Sequence, residues 1–170
     1  MTEADFRDAF YRHKDVVYRF AYRMTGEGST AEDLVQDCFA ALWQKPQGYR
    51  AERGPLRTYL LGVTRNLVFK HWRRRRPQEP LDDEISIASP LDIASLERSD
   101  AVRKAVLLLP PLQREALVLA EYEEMSLDEI AKATGAELAA VKSRLYRARQ
   151  NLRRMLAPLL ESKGKVNATS

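Results

Sequence analysis

The stretch that most constrains this chain is Ser126–Arg154, SLDEIAKATGAELAAVKSRLYRARQNLRR. Ser126 with Glu129 three positions on predicts a capping box, in which each side chain satisfies a backbone N–H left open by the first turn of a short helix. Gly135 supplies a residue free to turn left-handed where that helix ends. A second, longer helix is expected from near Glu137. Ala131 is small enough for close approach of the two helices, and Ile130, Leu138 and Val141 are expected to fill the angle between them, which makes a helix-turn-helix. The second helix carries Lys142, Arg144, Arg147, Arg149, Arg153 and Arg154 and no acid after Glu137. Such a bias suits a phosphate-lined major groove. A solvated basic helix on an unrelated bundle is the plainer alternative.

The rest of the composition fits a helical frame for that motif. The chain has 170 residues, enough for one ordinary domain or two small ones, with 45% apolar and 31% charged residues and a net charge of +4. Glycine is scarce, β-branched residues form no alternating runs and helical periodicity recurs, so the expected class is all-α. The single cysteine, Cys38, excludes an intramolecular disulfide and any CxxC metal site. No apolar run has the length of a membrane span, and the N-terminal MTEADFRDAF has no signal-peptide core. A cytoplasmic protein is expected. There is no Ser/His/Asp set, no phosphate-cradling glycine loop and no metal cluster, so neither an enzyme activity nor a cofactor is expected.

In chain order, residues 4–25 place Phe6, Phe10, Val17, Ala21 and Met24 at helical spacing. His13 falls on this stripe and reads as a core-edge histidine. Ser29 with Glu32 predicts a second capping box, opening a helix to about Gln44 with Leu34, Val35, Cys38, Phe39 and Leu42 inward. Glu32, Asp33, Gln36 and Asp37 crowd its first turns. They read either as complements of the helix dipole or as a polar, acidic face for a partner helix. After a loop, Tyr49–Gly54, a helix over about 56–75 is expected with Leu56, Leu60, Val63 and Leu67 inward. It ends in His71-Trp72-Arg73-Arg74-Arg75-Arg76, a run suited to backbone phosphates and base stacking, with a solvated helix end or a nuclear-localisation-like basic run as the plainer alternatives.

Residues 77–95 lose helical periodicity and gain Pro77, Pro80 and Pro90. Acids dominate to Asp100: Glu79, Asp82, Asp83, Glu84, Asp92 and Glu97, against Arg98 alone. This predicts a flexible acidic linker between an N-terminal helical domain, 1–76, and a C-terminal domain, 96–160. An acidic tether between two basic modules is also able to occupy a polyanion site as a mimic. Helices are expected from near 95 to Pro110 and over 112–123, then the helix-turn-helix, then a disordered tail, 161–170.

Taken together, these parts resemble the extracytoplasmic-function (ECF) group of bacterial RNA polymerase sigma factors. Ala31-Glu-Asp-Leu-Val-Gln-Asp-Cys-Phe39 with Leu42-Trp43 looks like the group's polymerase-docking helix. Leu56-Arg-Thr-Tyr-Leu60, Val63-Thr-Arg-Asn66 and Trp72-Arg-Arg are similar to its minus-ten element. Leu109-Pro110, Gln113-Arg114-Glu-Ala-Leu117, Glu129-Ile-Ala131, and Val141-Lys-Ser-Arg-Leu-Tyr-Arg-Ala-Arg149 look like its minus-thirty-five domain. Three positions depart from the pattern, and the arginine run 73–76 is denser than typical. Ala139-Ala140 stand where the group usually has Gly-Thr, and Tyr59 where it usually has tryptophan.

The resemblance implies a factor that binds core RNA polymerase, reads two promoter elements and helps open the DNA. Polymerase contact would fall to Glu32, Asp33, Gln36, Asp37 and Trp43. Lys142, Ser143, Arg144, Tyr146 and Arg147 would meet the upstream duplex, with Arg144 and Arg147 the expected guanine or phosphate contacts. Tyr49, Arg65, Asn66, Lys70, Arg73 and Arg74 would meet the melted downstream strand. An anti-sigma factor is an expected further partner. A stand-alone repressor would need no 29–45 and 56–76 pair, and a recombinase would need a catalytic α/β domain.

Overall fold

The computed structural model describes residues 1–78, 81–87, 89–93 and 95–161. Glu79, Pro80, Ala88, Ala94 and the expected disordered tail beyond Glu161 lie outside them. All regular elements among the described residues are helical: α1 (Glu3–Thr25), α2 (Gly28–Gln44), α3 (Leu56–Arg75), α4 (Arg98–Leu108), α5 (Pro111–Leu117), α6 (Leu127–Thr134) and α7 (Leu138–Met155). Short 3₁₀ turns at Pro46–Gly48 and Ala51–Arg53 join α2 to α3, and a π turn, Val118–Tyr122, extends α5.

Local sequence explains most boundaries. Thr2 Oγ1 accepts from the Asp5 N–H and the Asp5 carboxylate accepts from the Thr2 N–H, both at 3.1 Å, so a capping box starts α1. Gly26 ends it with φ 74°, a left-handed conformation that glycine adopts without strain. The second expected box, at Ser29, does not form. Glu27 is the N-cap of α2 and makes no side-chain cap bond, so Ser29 already lies inside the first turn. Thr30 instead donates its hydroxyl to Glu27 at 2.8 Å.

The N-terminal bundle closes around Phe20, Met24, Phe39, Leu42, Leu60 and Leu61, all buried. Cys38 belongs to this core: its Sγ lies 3.7 Å from the Leu60 carbonyl, and burial pushes the thiol pKa up to about 11. His13 is half-buried, with its pKa lowered first by burial. Helix α3 buries more than the expected stripe of Leu56, Leu60, Val63 and Leu67. Leu60 is buried, but Leu56, Val63 and Leu67 are only half-buried, while Thr58, Leu61, Thr64, Val68 and Phe69 are buried too. The reason is tertiary, because α1 and α2 cover one side of α3 and α6 covers another. Thr64 tolerates this by donating to the Leu60 carbonyl at 2.7 Å. Gly62 permits the α6 contact, since a Cβ there would stand 3.0 Å from the Ala133 carbonyl oxygen.

The two halves are therefore packed on each other. Arg114 of α5 is the central tie. Its guanidinium donates to the Met24 carbonyl at the end of α1, and to the Leu107 and Leu109 carbonyls at the end of α4 at 2.6 and 2.9 Å. A cation among carbonyls left open at two helix C-termini is favourable. Burial lowers the Arg114 pKa to about 10, which leaves it charged at neutral pH. Two buried carboxylates of the C-terminal half also hold arginines of the N-terminal half. Glu115 takes Arg65 at 2.7 and 3.2 Å, and Glu123 takes Arg57 at 2.7 Å with Arg23 and Arg19 at 3.6 and 3.8 Å.

Candidate nucleic-acid and partner-binding surfaces

The first surface is the outer side of α2. Glu32, Asp33, Gln36, Asp37 and Trp43 are all exposed, while Leu34, Cys38, Phe39 and Leu42 fill the opposite stripe. Helical periodicity thus collects the polar residues on one face. Trp43 is 50% exposed and meets Phe6 edge-on at 5.0 Å, so an aromatic edge borders the acidic face.

The second surface surrounds the loop before α3. Tyr49 and Tyr59 rings sit 5.5 Å apart, and the Tyr49 hydroxyl donates to the Gly54 carbonyl at 3.2 Å, which closes the loop. Gly54 has φ 137°, a conformation that side chains disfavour. Inside the curve is a cavity of about 610 Å³ lined by Tyr49, Arg50, Tyr59 and Asn66, and also by Lys132 and Ala133 of α6. Asn66, Lys70, Arg73 and Arg74 are exposed; Lys70 follows Asn66 by four residues and precedes Arg73 and Arg74 by three and four, so they form a polar and basic row leading from the cavity. Arg65 touches this row through a 3.4 Å hydrogen bond to Asn66 Oδ1, but its shorter bonds point elsewhere. It forks onto buried Glu115, and its guanidinium carbon lies 4.1 Å from the Phe69 ring centre. Burial raises the Glu115 pKa, opposed by the Arg65 hydrogen bond.

The third surface is α7. The turn before it forms as its residues dictate. Ser126 Oγ accepts from the Glu129 N–H at 3.1 Å, Glu129 accepts from the Ser126 N–H at 3.2 Å, and Gly135 has φ 71°. Ile130 and Val141 are buried in the angle. Leu138 was expected there but is 38% exposed, because it is the first residue of α7 and stands at the end of the contact. The residues expected on the DNA side separate into two rows. Lys142, Ser143 and Tyr146 are exposed, Tyr146 at 65%. Arg144 and Arg147 lie on a neighbouring row, where they meet Asp83 at 2.8 Å and Glu84 at 3.7 Å.

That pairing involves the segment expected as a flexible tether. Residues 83–87 run along α7 without regular secondary structure. Gln113 Nε2 donates to the Asp83 and Ile85 carbonyls at 2.8 and 3.0 Å. Asn151 Nδ2 donates to the Ile85 carbonyl at 2.9 Å and to Gln113 Oε1 at 2.7 Å, and Asn151 Oδ1 accepts from the Ile87 N–H at 2.8 Å. Gln113 and Asn151 are buried at 0% and 1% exposure, so these bonds meet a need that solvent does not fill. Sequence reasoning missed this pair. The available signal was Asn151, a lone carboxamide at helical spacing from Ala148 and Met155 on the buried stripe of α7. Among the described residues no His, Cys, Asp and Glu group has the makings of a metal site, and no helix is long and apolar enough to cross a membrane.

Comparison with known proteins places the chain in a family. Residues 9–78 match sigma-70 region 2, and residues 99–152 match sigma-70 region 4. The chain is 29% identical to the ECF RNA polymerase sigma factor SigW of Bacillus subtilis, over 91% of this chain and 90% of that one. It is 30% identical to SigL of Mycobacterium tuberculosis, over 93% of each. Among solved structures, the sigma factor RpoE of Bartonella quintana, in complex with the anti-sigma factor NepR, superposes with a TM-score of 0.71 at 27% identity, covering 90% of this chain and 97% of that one.

Proposed function

The chain belongs to the ECF group of RNA polymerase sigma factors and directs RNA polymerase to promoters; we propose that it does so through the three surfaces on α2, α3 and α7. The acidic face of α2, Glu32, Asp33, Gln36 and Asp37 with Trp43 at its edge, docks on core polymerase. The α3 side receives the melted downstream strand. A base that leaves the stack needs an aromatic, polar cavity, and Tyr49, Tyr59 and Asn66 offer one. Lys70, Arg73 and Arg74 neutralise its phosphates, and Arg65 joins them once released from Glu115. The outer row of α7 meets the upstream duplex, with Lys142 and Ser143 at the groove and Tyr146 at its rim, flanked by Arg144 and Arg147.

The observation that carries this reading is the exposed Lys142–Ser143–Tyr146 row on the second helix of a helix-turn-helix, a different helix from the one that carries the acidic α2 face. DNA and polymerase thus have separate surfaces. Residues 1–76 and 96–160 act as the two promoter-gripping modules and 77–95 as their connection. The chain performs no chemistry itself, polymerase supplies it, and no cofactor takes part. It works in the cytoplasm. An anti-sigma protein, of the kind seen with the Bartonella quintana factor, would act by covering the α2 or DNA-facing surfaces.

Run-off transcription with purified core polymerase tests the division of labour. Lys142→Ala and Tyr146→Ala are expected to lower promoter-dependent transcript while polymerase binding, read by gel filtration, stays intact. Loss of polymerase binding in these variants would remove α7 from the DNA side.

A further inference from the structure

Arg144, Arg147, Asn151 and Arg154 are spaced three, four and three residues apart, so they form one stripe along α7. The segment before α4 lies on that stripe in register. Asp83 meets Arg144, Glu84 meets Arg147, the backbone of Ile85 and Ile87 meets Asn151, and Ser86 meets Arg154. We propose that residues 83–87 are a built-in competitor of duplex DNA, an acidic strap that occupies the phosphate-binding arginine row of α7 and must leave before that row engages a promoter. This rests on the reading of α7 as a DNA-binding helix.

Charge alone does not hold the strap. The Gln113–Asn151 pair is buried, and the strap's own peptide groups complete its hydrogen bonds. Those bonds fix the register of the backbone, and the register delivers two consecutive carboxylates to two guanidinium groups. A carboxylate on a guanidinium presents the same oxygen acceptors as a phosphate. With the strap in place the Arg144 side chain keeps 17% exposure and that of Arg147 35%. The strap is also releasable. The Glu84 side chain is 75% exposed, so its pair with Arg147 at 3.7 Å is heavily screened. DNA offers both arginines a row of phosphates in exchange. A closed strap lowers apparent DNA affinity in proportion to the fraction of molecules in which it is open.

The test is fluorescence anisotropy of the full chain on a labelled mixed-sequence DNA duplex over a range of salt concentrations. Asp83→Asn/Glu84→Gln is expected to bind about three- to tenfold tighter than the parent, and its log–log salt slope to steepen by about 1–2, one phosphate contact for each freed arginine. Glu84→Gln alone changes an exposed side chain, leaves folding untouched and is expected to show a partial effect of the same sign. Asp92→Asn makes the same charge change at an exposed site off the strap and is expected to shift affinity less than about twofold. Unchanged affinity and slope in both strap variants, or an equal gain in Asp92→Asn, overturns the proposal. Lys142→Ala separates the two readings. Weakened binding there with no strap effect keeps α7 as the DNA helix and removes only the competitor.

Discussion

Arg65 of α3 holds Glu115 of α5 through two hydrogen bonds, at 2.7 and 3.2 Å, across the junction of the two halves. Glu115 is 1% exposed and Arg65 is its charge partner there, so removing Arg65 strands a buried carboxylate. Arg65→Ala is expected to cost about 3 kcal/mol, more than Glu115→Gln, which removes the charge with it. The sign with pH follows from burial, which already raises the Glu115 pKa above 4.5. A raised carboxyl pKa adds stability that is complete below the unfolded value and is lost as pH rises through the folded one. Without Arg65 the pKa rises further, so the Arg65→Ala deficit is expected to be larger at neutral pH than near pH 4.5. Urea unfolding of the parent and the two variants at both pH values measures it.

Arg114 donates to carbonyls ending both α1 and α4. Arg114→Ala leaves those acceptors without their cation and is expected to destabilise the chain by about 3 kcal/mol. Arg114→Lys replaces a planar fork by a single ammonium and is expected to recover only part of that. Thermal unfolding of the two variants ranks them, and an Ala variant as stable as the parent would contradict the tie.

Gly62→Ala sets two effects against each other. In an isolated helix the substitution is favourable by about 1 kcal/mol. Here the added Cβ would meet the Ala133 backbone oxygen at 3.0 Å, and backbone yields less readily than a side-chain end. The expected outcome is a sound α3 with a loosened α3–α6 contact. Hydrogen exchange should then quicken over α6 while the amides of α3 keep their protection.

The Arg144 hydrogen bond holds the Asp83 carboxyl below its ordinary value of 3.8. A lowered carboxyl pKa gives stability that is present above the unfolded value and is lost as pH falls through the folded one. The stability difference between the parent and Asp83→Asn is therefore expected to be constant above about pH 5 and to shrink as pH drops below 3.8. Denaturation midpoints of the pair across that range test this, and a difference that persists into strong acid would detach the strap from Arg144.

Much of this molecule is written locally. The Ser126–Glu129 box, Gly135 as the turn, the polar face of α2 against its Cys38 stripe and the extent of α3 each depend on residues within a few turns of each other. For such features periodicity and capping chemistry suffice. The same motifs in the same order also carried the family, which needs only residue identity and spacing. The cap expected at Ser29 is the exception: α2 begins at Gly28, after a Glu27 N-cap that makes no side-chain bond.

What the tertiary structure decided lies between residues distant in sequence. The motif puts Arg65 beside Asn66, and it keeps a 3.4 Å bond there, yet its fork closes on Glu115 across the junction. The helical wheel puts Arg144 and Arg147 with the DNA-facing residues, yet Gln113 and Asn151 anchor a strap that claims them. Both outcomes follow from one physical fact: a buried polar group must find its partner wherever the fold supplies one. By itself the sequence determined the helices, their faces and the helix-turn-helix around Gly135. Only packing decided which arginines of those faces stand free and which are held by carboxylates from elsewhere in the chain.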